Sequence, residues 1–176
     1  MLLPLALQRI RSLTWPEVFE IWRDAEIHSE TWRTLYTKRG FSSWETWRLS
    51  FAEPLKLATL TWSLYDVREP GPFILDCVGG PYRGWFERYY NGMQQPTFRD
   101  LAKVVALQQH VGIHQLRKNF PKRTTLIAVQ TDKRITIIEG MHRSVALALS
   151  VIEDVPLQTH LQIALANHPD AKLPLL

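Results

Sequence analysis

The residues best suited to chemistry in this chain of 176 residues lie in one short string, Glu-Gly-Met-His-Arg-Ser, at positions 139–144. Gly140 allows the backbone to turn sharply and to approach a ligand closely. The glycine precedes an expected helix, whose first unpaired amides and positive dipole end favour an anion. The string therefore predicts a phosphate-binding turn at residues 140–144, although such a turn also arises for structural reasons alone.

The side chains of this string offer phosphate and proton chemistry. Arg143 can hold phosphate oxygens with its forked guanidinium, and Ser144 can add a hydroxyl donor. His142 can donate to phosphate or move a proton near neutral pH. Glu139 can bind a metal ion or orient the arginine. We expect phosphate contacts from every residue of the turn, Met141 included, and catalytic roles for His142 and Glu139.

Basic side chains are concentrated in the middle of the chain. Residues 83–123 contain eight lysines and arginines against two acidic residues. The tightest group is Arg117, Lys118, Lys122 and Arg123. Clustered positive charge attracts polyanions such as nucleic acid, nucleotide phosphates or acidic lipid. The alternative is a solvated helix end whose cations complement the helix dipole.

Three further features are weaker. His110 and His114 are four residues apart, so both lie on one face of a helix and could bind zinc with a third ligand. The glycine-rich segment 79–84 could be a second phosphate loop or an ordinary turn. Cys77 is the single cysteine, which excludes an internal disulfide and a cysteine-based zinc cluster. We interpret it as a small buried hydrophobic residue.

The elements around residues 139–144 follow from their patterns. Residues 124–130 and 135–140 are apolar and β-branched, and a turn at 131–134 joins them into a predicted hairpin. Residues 141–151 are rich in alanine and leucine and predict a helix. Residues 155–165 then predict a closing strand.

The earlier part of the chain predicts two or three short helices in its first third. They begin at Thr14, Ser29 and Ser42 or Ser43, which are N-cap residues, and Gly40 is expected to end the second. We then expect strands at 57–67 and 72–78, a short helix at 81–90 and a helix from Thr97 that Gly112 weakens or ends, with a second short helical piece at 113–119. Residues 1–12 predict a helix or strand and lack the features of a signal peptide.

Composition places the chain among folded proteins. Hydrophobic residues make up 45% and the formal net charge is only +4, which argues against disorder. No apolar run reaches the roughly 20 residues that a membrane span needs, so we expect a cytoplasmic protein without a membrane partner. Five of the seven tryptophans precede residue 50, which indicates a tryptophan-rich helical core, a partner surface or a base-stacking platform.

Residues 124–160, with their hairpin, Gly-x-His-Arg turn, alanine-rich helix and Val-Pro strand, resemble the ParB/sulfiredoxin-like superfamily. The resemblance is nearer to the free-serine-kinase type than to sulfiredoxin, because Met141 stands where sulfiredoxin has its catalytic cysteine. ParB clamps carry a further DNA-binding region after this domain. The resemblance implies an α+β domain at 55–176 after a helical extension at 1–54, with a nucleotide triphosphate across the turn on Gly140, His142 and Arg143.

Two hypotheses on function follow. In the first, the protein is an ATP- or ADP-dependent phosphotransferase or ATPase that uses Mg²⁺ and a small-molecule phosphate acceptor. Its acidic base is Glu139 or one of Asp66, Glu69 and Asp76, among which no motif chooses. In the second, the protein is a non-catalytic, nucleotide-responsive module that binds DNA or a protein through the basic segment and the tryptophan-rich helices.

Overall fold

In the computed structural model, which describes residues 6–132 and 134–176, a five-stranded mixed sheet is covered by helices on both faces. The strands are β1 (Leu7–Leu13), β2 (Trp62–Val67), β3 (Arg123–Thr131), β4 (Arg134–Glu139) and β5 (His160–Asn167). Their order across the sheet is β1-β2-β5-β3-β4, and β3 and β5 are the parallel pair among antiparallel neighbours. The predicted α+β class with a tryptophan-rich helical N-terminus is confirmed.

The described helices are mostly short. They are α1 (Trp15–Glu26), α2 (Glu30–Lys38), α3 (Trp44–Ala52), α4 (Pro70–Asp76), α5 (Arg83–Tyr89), α6 (Phe98–Leu101), α7 (Val105–Gln108), α8 (Val111–Lys118) and α9 (Met141–Ile152), with a 3-10 turn at Leu57–Thr59. Among the residues that the structure describes, no helix is long and apolar enough to cross a membrane.

The first three helices begin where the N-cap residues predicted. The Thr14 side chain accepts from the amide of Glu17, and the Glu17 carboxylate accepts from the amide of Thr14. Ser29 and Ser43 cap α2 and α3 in the same way through their hydroxyls. Each cap satisfies an amide that the helix itself leaves unpaired. Local sequence is therefore sufficient to place these three helix starts.

The two faces of the sheet carry different helices. Along β3, Leu126 and Ala128 point to the core shared with α4, α6, α8 and α9, while Ile127 and Val129 point to the core shared with α1 and α3. This alternation is the normal consequence of the two-residue period of a strand. The predicted extension at 1–54, of which residues 1–5 lie outside the described part, thus shares a core with the sheet and also contributes strand β1 to it.

Two predicted elements differ in the structure. Residues 72–78 were expected to form a strand, but Pro70–Asp76 is the helix α4, which buries Phe73, Ile74 and Leu75. A short apolar run fits a buried strand or a buried helix equally well, and here packing against α9 selects the helix. The helix expected from Thr97 to Gly112 is divided into α6 and α7, and the expected second piece is α8, which begins at Val111 and includes Gly112. The predicted hairpin is present, and Lys133 in its turn lies outside the described residues.

The connections between the strands bring the candidate residues to one end of the sheet. Because β4 runs antiparallel to β3 and β5 runs parallel to β3, the end of β4 at Glu139 lies at the same end as the starts of β3 and β5. The free edge of β4 is covered by Val78, whose amide donates to Ile135 O at 2.9 Å and whose carbonyl accepts from Ile137 N at 3.0 Å.

Candidate functional site at the turn between β4 and α9

The turn from β4 into α9 is built around Gly140. This residue is the N-cap of α9 with φ +96°, a left-handed conformation that favours glycine. A Cβ here would lie 2.2 Å from Leu126 Cδ2, so no larger residue fits without displacing that leucine. Among the residues that the structure describes, no side chain caps the helix. The first amides of α9 therefore remain available to a ligand at the positive end of the helix dipole.

Arg143 is held in place by its neighbours. Nη2 donates to both carboxylate oxygens of Glu139, and Nη1 donates to Thr124 Oγ1 and, at 3.2 Å, to Thr125 O. The Arg143 side chain is 16% exposed and that of Glu139 is 7% exposed. Of the two roles that the sequence left open for Glu139, the geometry is that of orienting the arginine. The forked contact fixes the guanidinium in one place beside the turn.

Glu139 lies in an unusual electrostatic environment for a carboxylate. Burial raises its pKa, because removal from water penalises the charged form, and the Arg143 guanidinium acts against this shift. Two further charges influence the same carboxylate: Glu26 raises its pKa and Arg48 lowers it. Charges from the first and third helices therefore act on the turn between β4 and α9.

Glu26 and Arg48 form a second ion pair, which sequence reasoning missed. Arg48 Nε donates to Glu26 Oε2 at 2.6 Å, and Trp44 Nε1 donates to the same oxygen at 2.8 Å. The guanidinium carbon of Arg48 lies 3.6 Å from the ring centre of Trp47. A signal was present, because Arg48 occupies a helical stripe with Trp44, Trp47 and Phe51, where a charge is unexpected.

His142 is surrounded by rings from three other parts of the chain. Its ring centre lies 6.3 Å from Trp32, 5.1 Å from Trp85 and 5.4 Å from His110. Burial lowers the pKa of His142 to about 4, and the nearby His110 and Arg88 act in the same direction. The imidazole is therefore neutral at pH 7, and it can accept a proton or donate its single N–H.

The remaining residues of the predicted phosphate turn face inward. Met141 is buried, and its sulfur accepts from Gly80 N at 3.3 Å. Ser144 is fully buried, and within the described residues its hydroxyl has no hydrogen-bond partner. Backbone amides, Arg143 and His142 are thus the groups of the turn that a ligand can reach, while the side chains of Met141 and Ser144 contribute to packing.

The cations of the basic segment at 117–123 differ in their surroundings, since one is in an ion pair and the other three are exposed. Arg117 is bound to Glu153, and its side chain is 14% exposed. Lys118, Lys122 and Arg123 are exposed. Arg123 begins β3, one residue before Thr124, which contacts Arg143. Free positive charge therefore lies at the end of the sheet that carries the turn.

The other acidic candidates lie away from this turn, and His110, whose ring contacts His142, is also the cap of a helix. Asp66 accepts from His160 and Gln162, and Asp76 pairs with Arg99, while Glu69 precedes α4. His110 caps α8 through Nδ1, which accepts from Ile113 N. In the described ranges, no three histidine, cysteine or acidic side chains are grouped as metal ligands.

Two other features lie apart from the turn. Cys77 is buried, and burial raises the pKa of its thiol, which fits the predicted hydrophobic role. An open cleft of about 710 Å³ is lined by residues that include Gln94, Gln95, Arg134 and Lys172. Arg134 donates to Gln95 O, and Lys172 donates to Gln94 Oε1, so its two cations already have partners.

Comparison with protein-family profiles, with curated proteins and with solved structures found no match for this chain. Function is therefore inferred from the geometry of the turn.

Proposed function

We propose that this protein binds a nucleotide through its phosphates at the turn between β4 and α9 and uses it in phosphoryl transfer. The observation that carries the proposal is the combination of uncapped first-turn amides, a glycine that admits no side chain, and Arg143 fixed beside them. Amides at a helix start and a preorganised guanidinium are two complementary donors for phosphate oxygens.

Phosphoryl transfer adds a need for proton movement, which two buried groups of the turn can serve. A carboxylate with a raised pKa is a better proton acceptor than a solvated one, and Glu139 has that environment. His142 is neutral at pH 7, and because burial lowers its pKa to about 4 it is a weak proton acceptor and better suited to donating its N–H to a phosphate oxygen. Glu139 can accept a proton only when the phosphates compete for Arg143 and loosen the ion pair. We therefore assign Glu139 and His142 as the catalytic candidates.

Mg²⁺ is implied by phosphoryl transfer, since the metal neutralises charge on the phosphates. The described residues include no ready-made group of metal ligands, and Glu139 is occupied by Arg143. The protein side chains therefore do not fit a resident magnesium site. The ion would arrive with the nucleotide, coordinated mainly by phosphate oxygens and water.

The test is calorimetric titration of ATP, ADP, GTP and CTP with Mg²⁺ into the wild type and into Arg143→Ala/Glu139→Gln. The double substitution avoids a buried unpaired carboxylate, which would itself destabilise the fold. The matched control is Arg117→Ala, which removes another half-buried, ion-paired arginine away from the turn. We expect at least one nucleotide to bind the wild type and the control, and to lose affinity in the double variant. Equal affinity in all three proteins, or binding to none, contradicts the proposal.

A second candidate function is supported by the exposed cations near the turn. Lys118, Lys122 and Arg123 are free to contact a polyanion, whereas Arg117 is not. A DNA-binding module would bind duplex DNA with an affinity that falls steeply as salt rises, because bound phosphates release counterions. Replacing the three free cations by alanine should then reduce both the affinity and the salt dependence. Nucleotide turnover without DNA binding would exclude this alternative.

A further inference from the structure

Trp32 and Trp85 differ from most other tryptophans of the chain. Trp22, Trp44, Trp47 and Trp62 are each 1% exposed and form the apolar core. Trp32 and Trp85 are only half-buried, and they converge on His142 from α2 and α5. With His110, these residues form a ring cluster beside the first turn of α9. Trp32 packs on Trp47 and Trp85 on Tyr89 at the margins of the two cores, and each indole also contacts His142.

The rings of this cluster do not stack flat on one another. The planes of Trp32 and Trp85 are inclined to that of His142 by 49° and 63°, and His110 is inclined by 47°. An indole offers its largest contact area when a second flat ring lies parallel to it. Within the described residues, Trp85 has edge or T-shaped contacts with Tyr89 and His142. None of the protein's described rings stacks flat on Trp85, whereas the Arg48 guanidinium lies over the Trp32 ring, with its carbon 5.4 Å from the ring centre.

The charge around the cluster selects the kind of flat ligand. Arg88 lies near enough to act on His142, and α9 presents its positive end here. Because His110 Nδ1 accepts from Ile113 N, its Nε2 carries the proton and is a donor. A positive surrounding opposes a cationic ligand, such as a quaternary ammonium in an aromatic cage. It favours an anion that is joined to a flat ring, as the phosphates of a nucleotide are joined to its neutral base.

We propose that Trp85 and Trp32 form the base-stacking part of the site, so that a nucleobase lies on the ring cluster while its phosphates bind at Gly140–Arg143. This inference rests on the proposed function and extends it, because it makes the base, and not only the phosphates, a source of affinity. It also gives the N-terminal helices a role, since α2 supplies one of the two indoles.

The two proposals are separated by comparing ATP with inorganic tripolyphosphate, which has the phosphates but no base. We expect wild type to bind ATP about tenfold more tightly than tripolyphosphate, since stacking of one base contributes about 1–3 kcal/mol. Trp85→Leu should lower the ATP affinity to that of tripolyphosphate and leave tripolyphosphate binding unchanged. Trp85→Phe should keep most of the preference for ATP over tripolyphosphate, because it retains an aromatic ring. This variant also controls for a loss of folding in Trp85→Leu.

The matched control is Trp15→Leu, a half-buried indole that packs on Phe19 and Trp62. It should bind both ligands as the wild type does. Equal affinity of the wild type for ATP and tripolyphosphate would overturn base stacking and leave phosphate binding intact. An equal loss of ATP preference in Trp15→Leu and Trp85→Leu would also overturn base stacking, because the loss would then not depend on the ring cluster. Binding of neither ligand would overturn both proposals.

Discussion

The two Glu–Arg pairs of this protein use the same chemistry in different surroundings. Glu26–Arg48 joins α1 to α3 under a layer of indoles, with side chains 7% and 8% exposed. Glu139–Arg143 joins the end of β4 to α9, where Arg143 is twice as exposed and lies beside uncapped amides. The first pair is enclosed by packed rings, whereas the arginine of the second pair is partly exposed beside the start of α9. The comparison shows that access and neighbouring donors, not the ion pair itself, distinguish a candidate site from a structural bridge.

The largest effect should come from breaking the enclosed pair. Glu26→Ala leaves Arg48 charged and buried without its carboxylate and removes the acceptor of Trp44 Nε1. Breaking a buried pair in this way costs about 3–5 kcal/mol of unfolding free energy. Urea unfolding followed by tryptophan fluorescence measures the change. In the double variant Glu26→Leu/Arg48→Met, both charges are gone and most of the stability should return.

A loss below about 1 kcal/mol for Glu26→Ala would contradict the picture of an enclosed pair. It would mean that water reaches Arg48, and the contrast between the two pairs would disappear.

The partly exposed pair should contribute less to stability. Arg143→Ala removes hydrogen bonds to Glu139, Thr124 and Thr125, but Glu139 can take up a proton because burial already raises its pKa. We expect a loss of about 2 kcal/mol of unfolding free energy at pH 7, measured in the same urea experiment. Lowering the pH should reduce this loss as the carboxyl becomes protonated. If Arg143→Ala is as destabilising as Glu26→Ala, the partly exposed pair is primarily structural.

A third effect, which is absent at pH 7 and develops only as the pH falls, concerns the pH dependence of stability at His142. Its folded pKa is about 4, against an ordinary value of 6.5, so the unfolded chain takes up the proton first as pH falls. Stability should therefore decrease between pH 6.5 and 4, by up to about 2 kcal/mol at pH 5. Glu139 acts with the opposite sign, since its raised pKa favours the folded state at low pH.

The difference between the wild type and His142→Phe isolates the contribution of the histidine. Urea unfolding from pH 4.5 to 7.5 should show a weaker acid-induced loss in the variant. The control His114→Phe changes an exposed histidine of α8 and should keep the wild-type slope. An unchanged slope in His142→Phe would mean that the imidazole is solvated and not enclosed by the rings.

Much of the local structure could be predicted because its causes lie within a few residues. The caps at Thr14, Ser29 and Ser43 and the hairpin before Gly140 are local patterns, and the structure confirms them. The strand predicted at residues 72–78 was wrong, because a short apolar run has no period that distinguishes a strand from a helix. The helix α9, against which this segment packs, is distant in sequence. The divided helix after Thr97 likewise follows from packing that no local pattern records.

Within the candidate site, the sequence by itself determined the turn: a glycine between a strand and a helix, followed by histidine and arginine. Only the tertiary structure decided what surrounds it. Thr124 is 19 residues from Arg143, and Glu26 and Arg48 are 22 residues apart. Trp32 and Trp85 reach His142 from separate helices. The physical reason is that backbone conformation responds to neighbours along the chain, whereas burial, charge pairing and ring contacts depend on which distant segments the sheet and its helices bring together.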